Sequence, residues 1–367
     1  MTRLLAFLFC LLSWPALATP TIINLPAGVI PVYTAYTNAD PTDQFTLRGA
    51  GQDQTFILWL GTGKLFDIDY TEMSKPPIVE NATILTRGNA VDTAIDVDGP
   101  TTGGVAWARP IFRNLSIRGE NPLTQVWQKP IKLRNVWYPI FDNVTIMGLG
   151  SPTVPGSPPF PMSSCIEFSR TQVLEAHDFH CFYAQTGIEQ TDAELGEGQL
   201  FHDFEIVGVN VGFKLRSMGG TAIRDGHVNA WLRAFDLDGK YQLSIHDVLA
   251  FKWYQSSLAW ECIRALNTVN LSFHHNQCMG NPNATGSNLG VYMVGTSDSN
   301  VSNNIFGWYN VSAANYGIVL GTASTRNHVT DNQMMNNCGA GGGAGACGAV
   351  VTIGGGVVGN WTNFNRP

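Results

Sequence analysis

Four ionisable residues recur at one place in a repeated triplet. Glu189, Lys214, Asp236 and Glu261 stand third in Gly187-Ile188-Glu189, Gly212-Phe213-Lys214, Ala234-Phe235-Asp236 and Ala259-Trp260-Glu261. Gly290-Val291-Tyr292 and Gly317-Ile318-Val319 continue the series, with third positions 25, 22, 25, 31 and 27 residues apart. Successive strand side chains point to opposite faces, so burying the apolar member turns the third residue to solvent. Neighbouring strands lie about 4.8 Å apart, which would make Asp236 and Glu261 nearest neighbours. Two carboxyls about 5 Å apart are what a retaining glycoside hydrolase needs. Mutual repulsion would raise one pKa and supply the proton donor. The competing interpretation is a salt-bridged ladder, Glu189–Lys214–Asp236, that only holds register; exposed ion pairs of that kind contribute little.

The same outward column takes in Asp96, Lys132 and Glu167, and two residues further on Asp98, Arg134, Arg216 and Asp238 face the same way. It turns apolar after Tyr292. Charge confined to the middle of an elongated face predicts a groove, with Lys132, Arg134, Glu167, Arg216, Asp238, Trp231 and Tyr292 as substrate contacts. An alternative chemistry is uronate β-elimination, in which Lys132, Arg134, Lys214 and Arg216 neutralise a carboxylate while a Lys, His or Tyr removes the α-proton. Calcium would accompany that lyase; the hydrolase needs no cofactor and no metal. The acidic neighbours would repel a polyanion, which favours the hydrolase.

A second pattern runs out of phase with the first: Phe201-His202-Asp203, Ile223-Arg224-Asp225, Ile245-His246-Asp247, Phe273-His274-His275, Val301-Ser302-Asn303 and Val329-Thr330-Asp331. It generates an outward column of His177, His202, Arg224, His246 and His274, with His180, Glu205 and His227 beside it. Histidine titrates near neutral pH, and His202, Glu205, His227 and His246 form the second candidate site. Trp231 and Trp253 fall in the same coils, where an indole face can stack on a sugar; Trp260 by its phase points inward.

The elements that must position these residues follow from the repeat itself. Self-similarity at 20 to 50 residues marks a solenoid, and period-2 alternation makes each unit a set of strands. The expected fold is all-β, a single-stranded parallel β-helix, with 19–83 as N-terminal cap and first coils and 84–367 as regular coils. The 367 residues hold 39 Gly and only 13% charged residues, as short strands and tight turns require. A solenoid of this length needs no division into domains, because each coil buries its face against its neighbours. The recurring Asn114, Asn143, Asp178, Asp203, Asp225, Asp247, Asn303 and Asp331 are expected at left-handed turns, a conformation Asn and Asp tolerate. The proline-rich 148–161 cannot join a central ladder and is expected to protrude, either walling a groove or standing idle.

Residues 1–18 look like an export signal: Arg3, the apolar Leu4 to Trp14, then Ala16-Leu17-Ala18 before Thr19. No later apolar run reaches spanning length. The chain is expected to be secreted or periplasmic, where cysteines oxidise. Six remain after the signal, and the expected disulfides are Cys165–Cys181, Cys262–Cys278 and Cys338–Cys347. No Cys-x-x-Cys pair suggests structural zinc. The net charge of −7 excludes an extended nucleic-acid footprint.

Leu25-Pro26-Ala27-Gly28 followed by Leu47-Arg48-Gly49-Ala50-Gly51-Gln52-Asp53-Gln54-Thr55 resembles the opening coils of the pectin lyase-like superfamily, which includes secreted and phage-tailspike β-helices. The resemblance covers the mature chain at the level of repeat pattern. It implies right-handed coiling, and members that cut or bind polysaccharide. The polygalacturonase signature of paired aspartates, Gly-His-Gly and Arg-x-Lys is missing, as is the Trp-Ile-Asp-His of pectate lyases, so no family catalytic residue carries over. The expected partner is a polysaccharide, bound by a hydrolase, a lyase, or a non-catalytic binding or tailspike-like protein. Without a coiled-coil stalk, a monomer is expected rather than a trimer.

Overall fold

The computed structural model describes residues 21–38, 41–102, 108–150, 156–192, 196–284, 286–308, 315–336, 348–352 and 360–362. Their architecture is a right-handed parallel β-helix, the fold the superfamily resemblance implies. Strand Trp127–Arg134 lies parallel between Val91–Asp98 and Ser164–Ser169, with Asp96, Lys132 and Glu167 in one register row. The first described strand, Thr21–Asn24, already pairs in parallel with Phe45–Arg48. There is no helix among the described residues, so none there is long and apolar enough to cross a membrane. The segment 1–18 and Cys338 and Cys347 lie outside the described residues.

The inward positions form one continuous core in which like residues stack coil on coil. Phe112 stacks on Phe141 at 4.8 Å and Phe213 on Phe235 at 5.6 Å. Trp260 is fully buried, as its phase requires. Cys165–Cys181 and Cys262–Cys278 are bonded, each 16 residues apart in one coil and buried. Each staples two strands of a single coil in its interior.

The Asn/Asp column is a corner. Asn114, Asn143, Asp178, Asp203, Asp225, Asp247, Asn303 and Asp331 all adopt left-handed φ between 47° and 56°, and His275 takes the same place with φ 56°. Asn143 donates to Asn114 at 2.9 Å and Asn114 to Asn81 at 2.8 Å, an amide ladder along the coil axis. The corner bends each second-pattern strand into two segments, so two sequence patterns build a three-sided coil. A second ladder runs inside the molecule. Asn276 donates to Asn304 at 3.1 Å and Asn304 to Asn332 at 2.9 Å, while each also reaches a backbone carbonyl of the preceding coil. Each of these amides follows a corner residue directly.

One expected register is corrected. Asp236 pairs with Arg264, and Glu261 with Arg233. The column therefore runs Asp236, Arg264, Tyr292, Val319. The cause is local. Phe235 and Ile263 form the matching inward pair, and Cys262 occupies the small-residue position that Ala234 fills in the coil before. Outward positions thus occur three residues apart on either side of that small residue, and Glu261 belongs to the earlier one.

Candidate functional site

The first outward column resolves into ion pairs. Lys64 binds Asp96 at 2.7 Å and Asp67 at 2.9 Å, Lys129 binds Glu167 at 2.8 Å, and Lys214 binds Glu189 at 2.7 Å. Arg264 grips both oxygens of the buried Asp236 at 3.0 Å. Arg233 contacts Glu261 and stands 4.0 Å from Asp236, so a guanidinium separates the two carboxylates expected to act as a pair. Arg134 binds Asp98 at 2.8 Å, and Arg216 lies 3.8 Å from Asp238. Lys132 stands between Asp96 and Glu167 in register, and Tyr292 follows Arg264. A proton donor needs an oxygen free to hold a proton, and Asp236 has both committed to one guanidinium fork. Arg233 and Arg264, which decide this, were missed in the sequence because the register was three residues out.

The second column divides at the left-handed corner. His202 and His246 lie before it, each with Nδ1 on the following aspartate, Asp203 at 2.7 Å and Asp247 at 2.8 Å. Glu205 and His227 lie beyond it. Glu205 sits between two imidazoles, 3.3 Å from His180 Nδ1 and 4.0 Å from His227 Nδ1. His227 has its other nitrogen buried without a hydrogen-bond partner and its ring edge-on to Phe251 at 5.6 Å. Burial lowers its pKa from the ordinary 6.5, with the Glu205 charge opposing. The four residues expected as one cluster therefore form two, and His180 completes the second.

Two residues along from His180 and Glu205 on the same strands, the outward row becomes Phe182 and Val207. These pack against a cluster outside the coil formed by Phe160, Tyr183, Trp231 and Trp253. Phe160 comes from the proline-rich segment and Trp253 from the end of the extended run Leu200–Lys252, whose following loop folds back so that Ser256 Oγ donates to the Trp231 carbonyl at 2.7 Å. Gly208, at φ +71°, lets the Tyr183 ring lie where a Cβ would stand 2.7 Å from it.

Between the two loops opens a cleft of about 410 Å³ lined by Pro158, Pro159, Gln185, Asn210, Trp231, Ser257 and Leu258. Among the described residues no ionisable side chain lines it. Aromatic and proline walls with a few amides suit a ligand that is polar at its edges and apolar on its faces. Trp231 and the proline loop are legible in the sequence; the place of 256–258 is not, since it follows from how one coil closes on the next.

No family model matches the chain, and no curated protein sequence matches it. Among solved structures it is similar to the A-module of the Azotobacter vinelandii mannuronan C-5 epimerase AlgE6, with 13% identity and a TM-score of 0.43 over 94% of this chain and 91% of that one. It is similar to the catalytic domain of a GH87 α-1,3-glucanase, with 9% identity and a TM-score of 0.41 over 94% of this chain and 64% of that one. A third is tailspike protein 3 of bacteriophage CBA120, with 12% identity and a TM-score of 0.43 over 94% and 56%. At these levels of likeness no ligand and no reaction passes to this chain.

Proposed function

We propose that the protein is an exported β-helix that binds a polysaccharide in the cleft floored by Trp231 and acts on it through Glu205, His180 and His227. The observation that carries this reading is the uncharged cleft between two loops, joined through Phe182 and Val207 to Glu205, a carboxylate flanked by two imidazoles. An uncharged lining fits a neutral sugar unit better than a uronate. Glu205 acts as acid or base; His180 exchanges the proton with it, and the half-buried His227, whose pKa burial lowers, orients it. Both earlier mechanisms lose most of their groups to ion pairing: the hydrolase its Asp236 and Glu261, the lyase its Lys214, Arg134 and Arg216, with Lys132 alone of its four cations outside a pair among the described residues. Two buried disulfides accord with an oxidising compartment. The test is a panel of neutral and acidic polysaccharides, reading reducing-end release and the absorbance of unsaturated products side by side. Release from a neutral glycan that Glu205→Gln abolishes supports the reading. Activity that survives Glu205→Gln and is lost in Asp236→Asn overturns it.

A further inference from the structure

Along the outward histidine column one coil breaks the repeating contact. His202 and His246 each place Nδ1 within hydrogen-bond distance of the aspartate that follows, at 2.7 and 2.8 Å. At His177 the same nitrogen stands 3.7 Å from Asp178 and 3.6 Å from Asp142, bonded to neither. Asp142 is the register partner of His177 in the preceding coil, and Asp178 is turned toward the same point by its left-handed φ of 47°. One donor atom from each of the three lies within 4.8 Å of the others.

The groups around this trio are already engaged. Arg113, in register with Asp142 from the other side, binds Glu80 at 2.6 Å. The His202 ring stacks on that of His177 at 5.3 Å with its own Nδ1 on Asp203. Glu175, on the strand of His177, holds Arg109 at 2.9 Å. One imidazole nitrogen and two carboxylates are thus left facing one another across gaps too long for hydrogen bonds.

Those gaps have the size of a coordination sphere. Zinc binds imidazole nitrogen and carboxylate oxygen at about 2.0–2.2 Å, which in a tetrahedron separates the donors by roughly 3.4 Å. We propose that Asp142, His177 and Asp178 bind a divalent first-row transition ion, with water completing the sphere. The imidazole favours such an ion over calcium and magnesium, which prefer all-oxygen shells. The ion ties strand Ile140–Met147 to Glu175–Phe182, the two coils that flank the proline-rich segment. It therefore clamps the solenoid where the insertion interrupts it, independently of the glycan reading.

The experiment is calorimetric titration of the chelator-treated mature chain with zinc, and separately with calcium, alongside thermal unfolding with and without zinc. The expected result is one zinc equivalent, a rise in Tm on adding zinc, and no calcium heat. Asp142→Asn and His177→Gln should each weaken zinc by roughly tenfold or more, at least the loss seen when an outer-shell partner is removed, and should abolish the Tm rise. His246→Gln, which removes a histidine hydrogen-bonded to its aspartate, should leave both unchanged. Zinc affinity unaltered in Asp142→Asn and His177→Gln, no zinc binding by the wild type, or calcium binding as tightly as zinc overturns the proposal.

Discussion

The two outward faces of the β-helix use similar residues to opposite ends. On the first, carboxylates and cations alternate and satisfy one another: Lys64 with Asp96, Lys129 with Glu167, Lys214 with Glu189, Arg264 with Asp236. On the other, Glu205 lies among imidazoles, aromatic rings gather outside the coil, and a cleft opens between two loops. A dense row of charge thus marks register in the first face. A sparse polar group beside apolar surface marks the candidate site in the second, because there a carboxylate and two imidazoles lie next to a cleft.

The sharpest test of this contrast is Asp236→Asn. It leaves the Arg264 guanidinium without the buried carboxylate that compensates it, while Arg233 keeps Glu261, and should cost about 3 kcal/mol, the lower range for breaking a buried pair. Denaturant unfolding measures it, and activity per folded molecule should be unchanged. A loss of turnover with full stability would return the site to this face. Glu205→Gln should do the reverse. We expect a fall in kcat of about a hundredfold, the usual scale for a missing proton donor or acceptor, with no change in unfolding midpoint. Trp231→Phe, which keeps an aromatic floor, should bind glycan almost as well as wild type by calorimetry, whereas Trp231→Ala should bind about tenfold more weakly, as loss of one aromatic contact predicts.

His227 adds a pH signature. Its native pKa is lowered by burial, against an ordinary 6.5 in the unfolded chain. On acidification through 6.5 the unfolded chain takes up the proton first, so stability contributed by the neutral ring is present above that pH and is lost below it. His227→Gln should flatten the fall of Tm in that window. A slope unchanged by the substitution would mean the ring is not held neutral in the fold. The smallest effect belongs to Lys214→Met. Its partly exposed pair with Glu189 should be worth at most about 1 kcal/mol, and turnover should hardly move. A severe loss of activity there would revive the lyase mechanism on the ladder face.

Much of the fold was legible because its causes are local. The period-2 alternation that buries Phe213, Phe235 and Phe273 is written residue by residue, and so is the corner that Asp203, Asp225 and Asp247 make in left-handed conformation. The cysteine pairs followed from equal spacing at equivalent places, and the structure joins Cys165 to Cys181 and Cys262 to Cys278. The interior amides Asn276, Asn304 and Asn332, 28 residues apart in the chain, carried a signal that was there to be read.

What the sequence by itself determined is the period, and with it the solenoid and the identity of the inward residues. Tertiary structure alone decided which outward residue meets which. Arg264 rather than Glu261 faces Asp236 because alternation restarts at the small residue of each coil, so both remain open until neighbouring coils pack. The cleft is likewise tertiary. Pro158 and Pro159 share a cleft with Ser257 and Leu258, four coils on, only because every turn of the coil returns the chain to nearly the same place.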